Sequence, residues 1–290
     1  MKKQKFILLL VAILLIVMNS CTDNPAVKQR GSINAPQLLL KGSGNFGTDL
    51  VGWWQFDECN GTIAGDVSGL NNHGTLSGDA TFANDALLGC AINLADKAAI
   101  ISVEPNASLE PATATIEVWI KVAELQNADI VRKTTDYWIR REIAGGFGVY
   151  GLRIHTDGRA SGFIGNDDPD APYSWTFVYS PVNLILPGEW HHLTLRWDGN
   201  TVDLFIDGEK HDSQPYVPVP DLGLSYHGTS PLDLGRGTYW NNLPAEYHEF
   251  TGQLDEVRFY GRARSDVEIQ TDFITRGHKP AMPPGKGPKP

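Results

Sequence analysis

Along most of the chain apolar and polar residues alternate with a period of two, interrupted at short intervals by Gly, Asn and Asp, and long helical periodicity is absent. In the run Val202 to Asp207, Val202, Leu204 and Ile206 fall on one side of an extended chain, and in His192 to Trp197 the apolar set is Leu193, Leu195 and Trp197. Asp198-Gly199-Asn200 separates the two runs, and because these residue types tolerate positive φ the segment predicts a hairpin. From Ala114 to Val122, Ile116, Val118 and Ile120 oppose Thr115, Glu117 and Lys121, with Trp119 on the polar side. That pattern predicts a strand with one face buried and the other partly wet. One short helix is predicted. Ser265-Asp266-Val267-Glu268 has the capping-box spacing, in which the Ser and Glu side chains each bind the other's backbone N–H, and the helix runs to about Thr275.

The two ends depart from this pattern. Lys2, Lys3 and Lys5 precede an unbroken apolar run from Phe6 to Met18, the layout of a secretory signal segment. The run is shorter than the ~20 residues that a membrane-crossing helix needs. Val17-Met18-Asn19-Ser20-Cys21 follows it and resembles the lipobox at which bacterial lipoproteins are cut and acylated on cysteine. Several acyl chains on Cys21 hold a protein durably on a membrane, since each buried methylene adds ~0.8 kcal/mol. The expectation is an exported lipoprotein, membrane-anchored through its N-terminal lipid, in the outer membrane and facing either the periplasm or the outside. Plain secretion or a retained anchor is the alternative. Residues 21–49 read as a flexible tether, residues 50–277 as one domain, and residues 278–290, rich in Pro, Gly and Lys, as a disordered tail.

Charge and cysteine usage narrow the partners. Cleavage before Cys21 removes three lysines and none of the 34 acids, so the net charge moves from −10 to about −13. An acidic surface with scattered Lys and Arg repels phosphate backbones, and no nucleic acid is expected as a partner. Cys59 and Cys90 form an even pair in a chain bound for an oxidising compartment and predict a disulfide, with two buried free thiols as the alternative.

Six motifs in series carry a family resemblance. They are Trp54-Gln55-Phe56-Asp57-Glu58, Asp66 to Leu76, Glu189-Trp190-His191-His192-Leu193, Asp198-Gly199, Phe205-Ile206-Asp207-Gly208 and Gly252 to Tyr260. Together they resemble the LamG-like jelly-roll domains of the concanavalin A-like lectin and glucanase superfamily, from about Leu50 to Phe273. The resemblance implies an all-β fold, a two-sheet antiparallel jelly-roll sandwich, and a binding or adhesion role, often toward glycans. Trp54, Phe56, Trp190 and Phe259 are expected as core anchors. The resemblance also implies a structural Ca²⁺ held by Asp255, with Asp57 as companion. Asp255 shares the parity of Val257 and Phe259, and so is expected to point inward.

Catalysis is not expected. Laminarinase-like relatives carry two Glu about 5 to 5.5 Å apart, one as acid and one as nucleophile. On the comparable strand of this chain Glu117 stands alone, because Trp119 and Lys121 occupy the other two positions. No organic cofactor is expected. A glycan or an envelope or surface protein is the expected partner, and a divergent polysaccharide-cleaving enzyme is the weakest reading. For sugar binding the candidates are aromatics beside polar groups: Trp138 with Arg140, Arg153 with His155 opposite Leu152 and Ile154, Trp175 after the acidic loop 166–170, and Tyr239 with Trp240.

Overall fold

The structure, a computed structural model, describes residues 49–85, 89–96, 98–134, 148–165, 175–216, 230–236 and 249–276. Strands β1 (Leu50–Trp54), β2 (Ile63–Ala64), β3 (Gly74–Ser77), β4 (Ala80–Asp85), β5 (Gly89–Leu94), β6 (Ile100–Val103), β7 (Ala114–Val122) and β8 (Ala128–Thr134) come first. Strands β9 (Gly148–Ile154), β10 (Ala160–Gly165), β11 (Trp175–Tyr179), β12 (Trp190–Trp197), β13 (Thr201–Ile206), β14 (Glu209–Pro215), β15 (Leu232–Leu234) and β16 (Gly252–Tyr260) follow, and helix α1 (Asp266–Arg276) closes the described chain. The first sheet runs β14-β13-β12-β7-β16-β5-β4, with β1 also paired to β16; the second runs β11-β10-β9-β8-β15-β6-β3-β2. All pairs are antiparallel.

The predicted alternations form the core between the sheets. Ile116, Val118 and Ile120 from β7, Leu193, Leu195 and Trp197 from β12, and Val202, Leu204 and Ile206 from β13 meet Ile101, Val103, Tyr150, Leu152 and Ile154 of the second sheet. Trp197 stacks on Tyr150 at 5.4 Å. Side chains of this size each contribute about 1.5–3 kcal/mol when fully buried. The β12–β13 hairpin closes as predicted: Asp198 Oδ1 accepts the N–H groups of Asn200 and Thr201, and Gly199 takes φ +89°. Cys59 and Cys90 are bonded, with their Cα atoms 5.4 Å apart, tying the chain after β1 to β5.

Three expectations are corrected. The outer face of β7 is not wet, because α1 lies across it: Phe273 stacks on Trp119 at 5.7 Å and Ile269 is fully buried. The capping box that starts α1 is formed, Ser265 Oγ accepting from the Glu268 N–H and Glu268 Oε2 from the Ser265 N–H. Trp54, Phe56 and Phe259 are core residues, but Trp190 is half-buried on the outer face, where it faces Lys121 across the ladder and lies under its ammonium. Asp255 does not share the parity of Val257. A bulge between Asp255 and Arg258, with Glu256 at φ +50°, inserts a residue, so Leu254 turns to the core while Asp255 pairs opposite Trp119 on the outer face.

Candidate functional site

With α1 over the first sheet, the outer face of the second sheet is the broad polar and aromatic surface of the described residues. Its residues follow from register, since directly opposed residues share a face. One row crosses six strands: Ser102, Asp233, Arg132, Gly151, Phe163 and Phe177. The next row holds Asp129, Arg153, Ser161 and Tyr179. The intervening residues Val131, Leu152 and Val178 point into the core.

A bulge in β8 assembles the charged part. Two residues, Ile130 and Val131, stand where one would continue the ladder, so Asp129 and Arg132 fall on the same side although an odd spacing would otherwise separate them. Asp129 is fully buried and binds two guanidiniums, Arg132 Nη1 at 2.8 Å and Arg153 Nε at 2.5 Å. Both guanidiniums also lie over the Phe163 ring, at 5.6 and 5.9 Å. Asp233 accepts from the Ser102 hydroxyl at 2.7 Å. His155 Nε2 is 2.8 Å from Ser161 Oγ. Burial, followed by the charges of Arg159 and Arg153, pushes the imidazole below its usual range and keeps it neutral near pH 7, against the opposing pull of Asp157 and Asp129.

The aromatic part lies at the sheet edge. Trp175, Phe177 and Tyr179 alternate along β11 on the outer side, with Phe177 36% and Tyr179 41% exposed. Buried Phe163 supports Trp175 at 5.4 Å and Phe177 at 5.9 Å, and the Arg159 guanidinium sits 5.3 Å over Tyr179. Such a face offers ring surfaces for apolar sugar faces next to fixed donors and acceptors for hydroxyls.

Of the sequence candidates, Arg153, His155 and Trp175 are brought onto this one face. Trp138, Arg140, Tyr239 and Trp240 lie outside the described residues, as do Cys21 and the acidic loop 166–170. Phe177 and Tyr179 extend the period-two aromatic pattern begun at Trp175 and were readable in the sequence. Asp129 and Arg132 were not, because their three-residue spacing conceals a shared face until the bulge is seen.

Glu117 belongs to a different setting. It is fully buried beneath α1, with His192 Nε2 at 3.7 Å and Arg264 Nε at 3.4 Å. Burial pushes its carboxyl up, but His192, Arg264 and Arg258 outweigh this and hold it below the ordinary range. Asp272 of α1 is pushed up to about 7 by burial and by the Glu117 charge. This is an ion network sealed under a helix, out of reach of a substrate. Of the two carboxylates that the resemblance assigns to calcium, Asp255 is buried on β16, where its Oδ1 accepts the Glu256 N–H, and Asp57 follows β1; among the described residues no group of three His, Cys, Asp or Glu stands close enough to share a metal.

The model of the concanavalin A-like lectin/glucanases superfamily matches residues 96–270. The chain belongs to this superfamily. Solved structures resemble its fold at low identity. Domain 4 of AbnA, a GH43 extracellular arabinanase from Geobacillus stearothermophilus, solved with arabinotriose, is 18% identical with a TM-score of 0.55, over 77% of this chain and 97% of that one. The binding domain of Paraclostridial Mosquitocidal Protein 1 is 18% identical with a TM-score of 0.54, over 78% of this chain and 52% of that one. The binding domain of botulinum neurotoxin DC, in complex with SialylT, is 11% identical with a TM-score of 0.56, over 79% of this chain and 52% of that one. The chain therefore spans about half the length of these toxin binding domains. No curated protein matches it in sequence.

Proposed function

We propose that this chain is a non-catalytic, glycan-binding module of the bacterial envelope, and that it binds sugar on the outer face of its second sheet. The observation that carries the reading is the set of exposed rings on β11 beside the Asp129, Arg132, Arg153 and His155 network. Asp129, buried together with Arg132, holds Arg153 in place, so the part-exposed Arg153 and His155 act as rigid hydrogen-bonding groups for hydroxyls rather than as groups poised to transfer protons. The lone Glu117 of the enzyme reading lies under α1 and does not reach this face. Complexes of arabinotriose and of SialylT with neighbours of the same fold support a saccharide ligand. The basic patch, apolar run and Cys21 support export and attachment to a membrane by lipid.

The test is a glycan array probed with the purified protein, repeated with Trp175→Ala and Arg153→Ala. Binding to a defined saccharide class that both substitutions weaken supports the reading. Binding unaffected by either places the site elsewhere, and silence across the array favours an envelope module that contacts protein. Incorporation of labelled fatty acid into the wild type but not into Cys21→Ser checks the anchor.

A further inference from the structure

Edge strand β11 carries more information about the ligand than the presence of rings alone. Its three outward aromatics occupy alternate positions, so the pleat repeats them along one line. Trp175 to Phe177 and Phe177 to Tyr179 are two equal steps of 6.0 Å, with interplanar angles of only 19° and 17°. The three rings therefore hold nearly one tilt along the strand. Phe163, 2% exposed, braces Trp175 and Phe177 from the neighbouring strand, and preorganised rings lose little entropy on binding.

The polar groups run beside this line on the β9–β10 side. Ser161 lies opposite Tyr179, the His155 ring centre is 6.3 Å from that of Tyr179, and Arg153 lies over Phe163. The guanidiniums answer to carboxylates: Arg153 meets Asp129 at 2.5 Å and Arg159 meets Asp157 at 3.2 Å. With His155 neutral, these groups present paired charges and suit hydroxyls better than a charged headgroup.

From this arrangement, and resting on the glycan reading above, we infer that the ligand is a linear, uncharged oligosaccharide bound along its length, with successive sugar units over Tyr179, Phe177 and Trp175. The site grips an internal stretch of a polysaccharide chain of at least three units and not a single terminal sugar.

The experiment is isothermal titration of the full chain with arabino-, xylo-, cello- and malto-oligosaccharides of one to six units, alongside a uronate-containing series. In the series that binds, affinity is expected to rise at least tenfold between one and three units and then level. Phe177→Ala is expected to lower trisaccharide affinity about tenfold, the loss of one ring contact. Phe177 is solvent-exposed, and an unchanged melting temperature confirms that the variant folds. Binding with no dependence on chain length, no effect of Phe177→Ala, or preference for the uronate series overturns this inference and leaves the glycan reading standing. Failure of every series overturns both.

Discussion

Cutting the Cys59–Cys90 bond is a direct test of how the entry to the sandwich is held. Cys59 is exposed and Cys90 is 6% exposed, so Cys59→Ser breaks the bond without placing a new hydroxyl in the interior. The bond closes a loop of sequence separation 31 that contains β2, β3 and β4, and the hairpin of β4 with β5 lies at the edge of the first sheet. Chain entropy for a loop of that size gives a stabilisation of about 3–4 kcal/mol. For a domain of this length each kcal/mol moves the melting temperature by about 2–4 °C, so a fall of about 6–16 °C is expected. Urea unfolding followed by tryptophan fluorescence measures it, with wild type run both oxidised and in dithiothreitol. The midpoint is expected to drop by the same amount in Cys59→Ser and in the reduced wild type. The reasoning fails if the oxidised wild type differs from both by less than about 1 kcal/mol, or if both cysteines of the unreduced native protein react with an alkylating agent.

Three further outcomes are expected. Asp129→Ala removes the carboxylate that two guanidiniums share, one of them 2% exposed, and a loss of about 3–5 kcal/mol in denaturant unfolding is expected, partly recovered when Arg132→Met is added. In Gly151→Ala the new methyl meets the Phe163 ring at 2.6 Å and the Val131 carbonyl at 2.9 Å, so stability should fall by about 1–3 kcal/mol and the β11 rings should lose their brace, read as weaker binding on the glycan array. The carboxyl of Asp272 sits at about 7 in the folded chain against an ordinary 3.8, so the folded state holds its proton more tightly. The stability from this group is complete below about pH 4 and is lost as pH rises toward 7. Wild type minus Asp272→Asn melting temperatures should decline across that window, and a flat difference would refute the assignment.

The all-β pattern, the two hairpin strands around Asp198-Gly199-Asn200, the limits of β7 and the capped helix were legible because each depends on local periodicity or turn chemistry. The candidate face was legible where it kept the strand period: Arg153 and His155 opposite Leu152 and Ile154, and Trp175 at the head of an alternating aromatic run. It was hidden where register breaks. The β8 bulge unites Asp129 with Arg132, and the β16 bulge turns Asp255 away from the core, and neither is marked by a glycine or proline in the sequence. Trp190 misled for another reason. At the first position of β12 it has core composition but outer-face parity, which only pairing to Lys121 reveals.

The chain enters through β1, which pairs with β16, and Asp49 is bound to Arg262 at 2.6 Å; helix α1 leaves from the same sheet. Both ends of the described domain are thus tied to the first sheet. A load applied at Asp49 passes through the β1–β16 ladder and the Arg262 ion pair, and these contacts must shear before the strands behind them feel it.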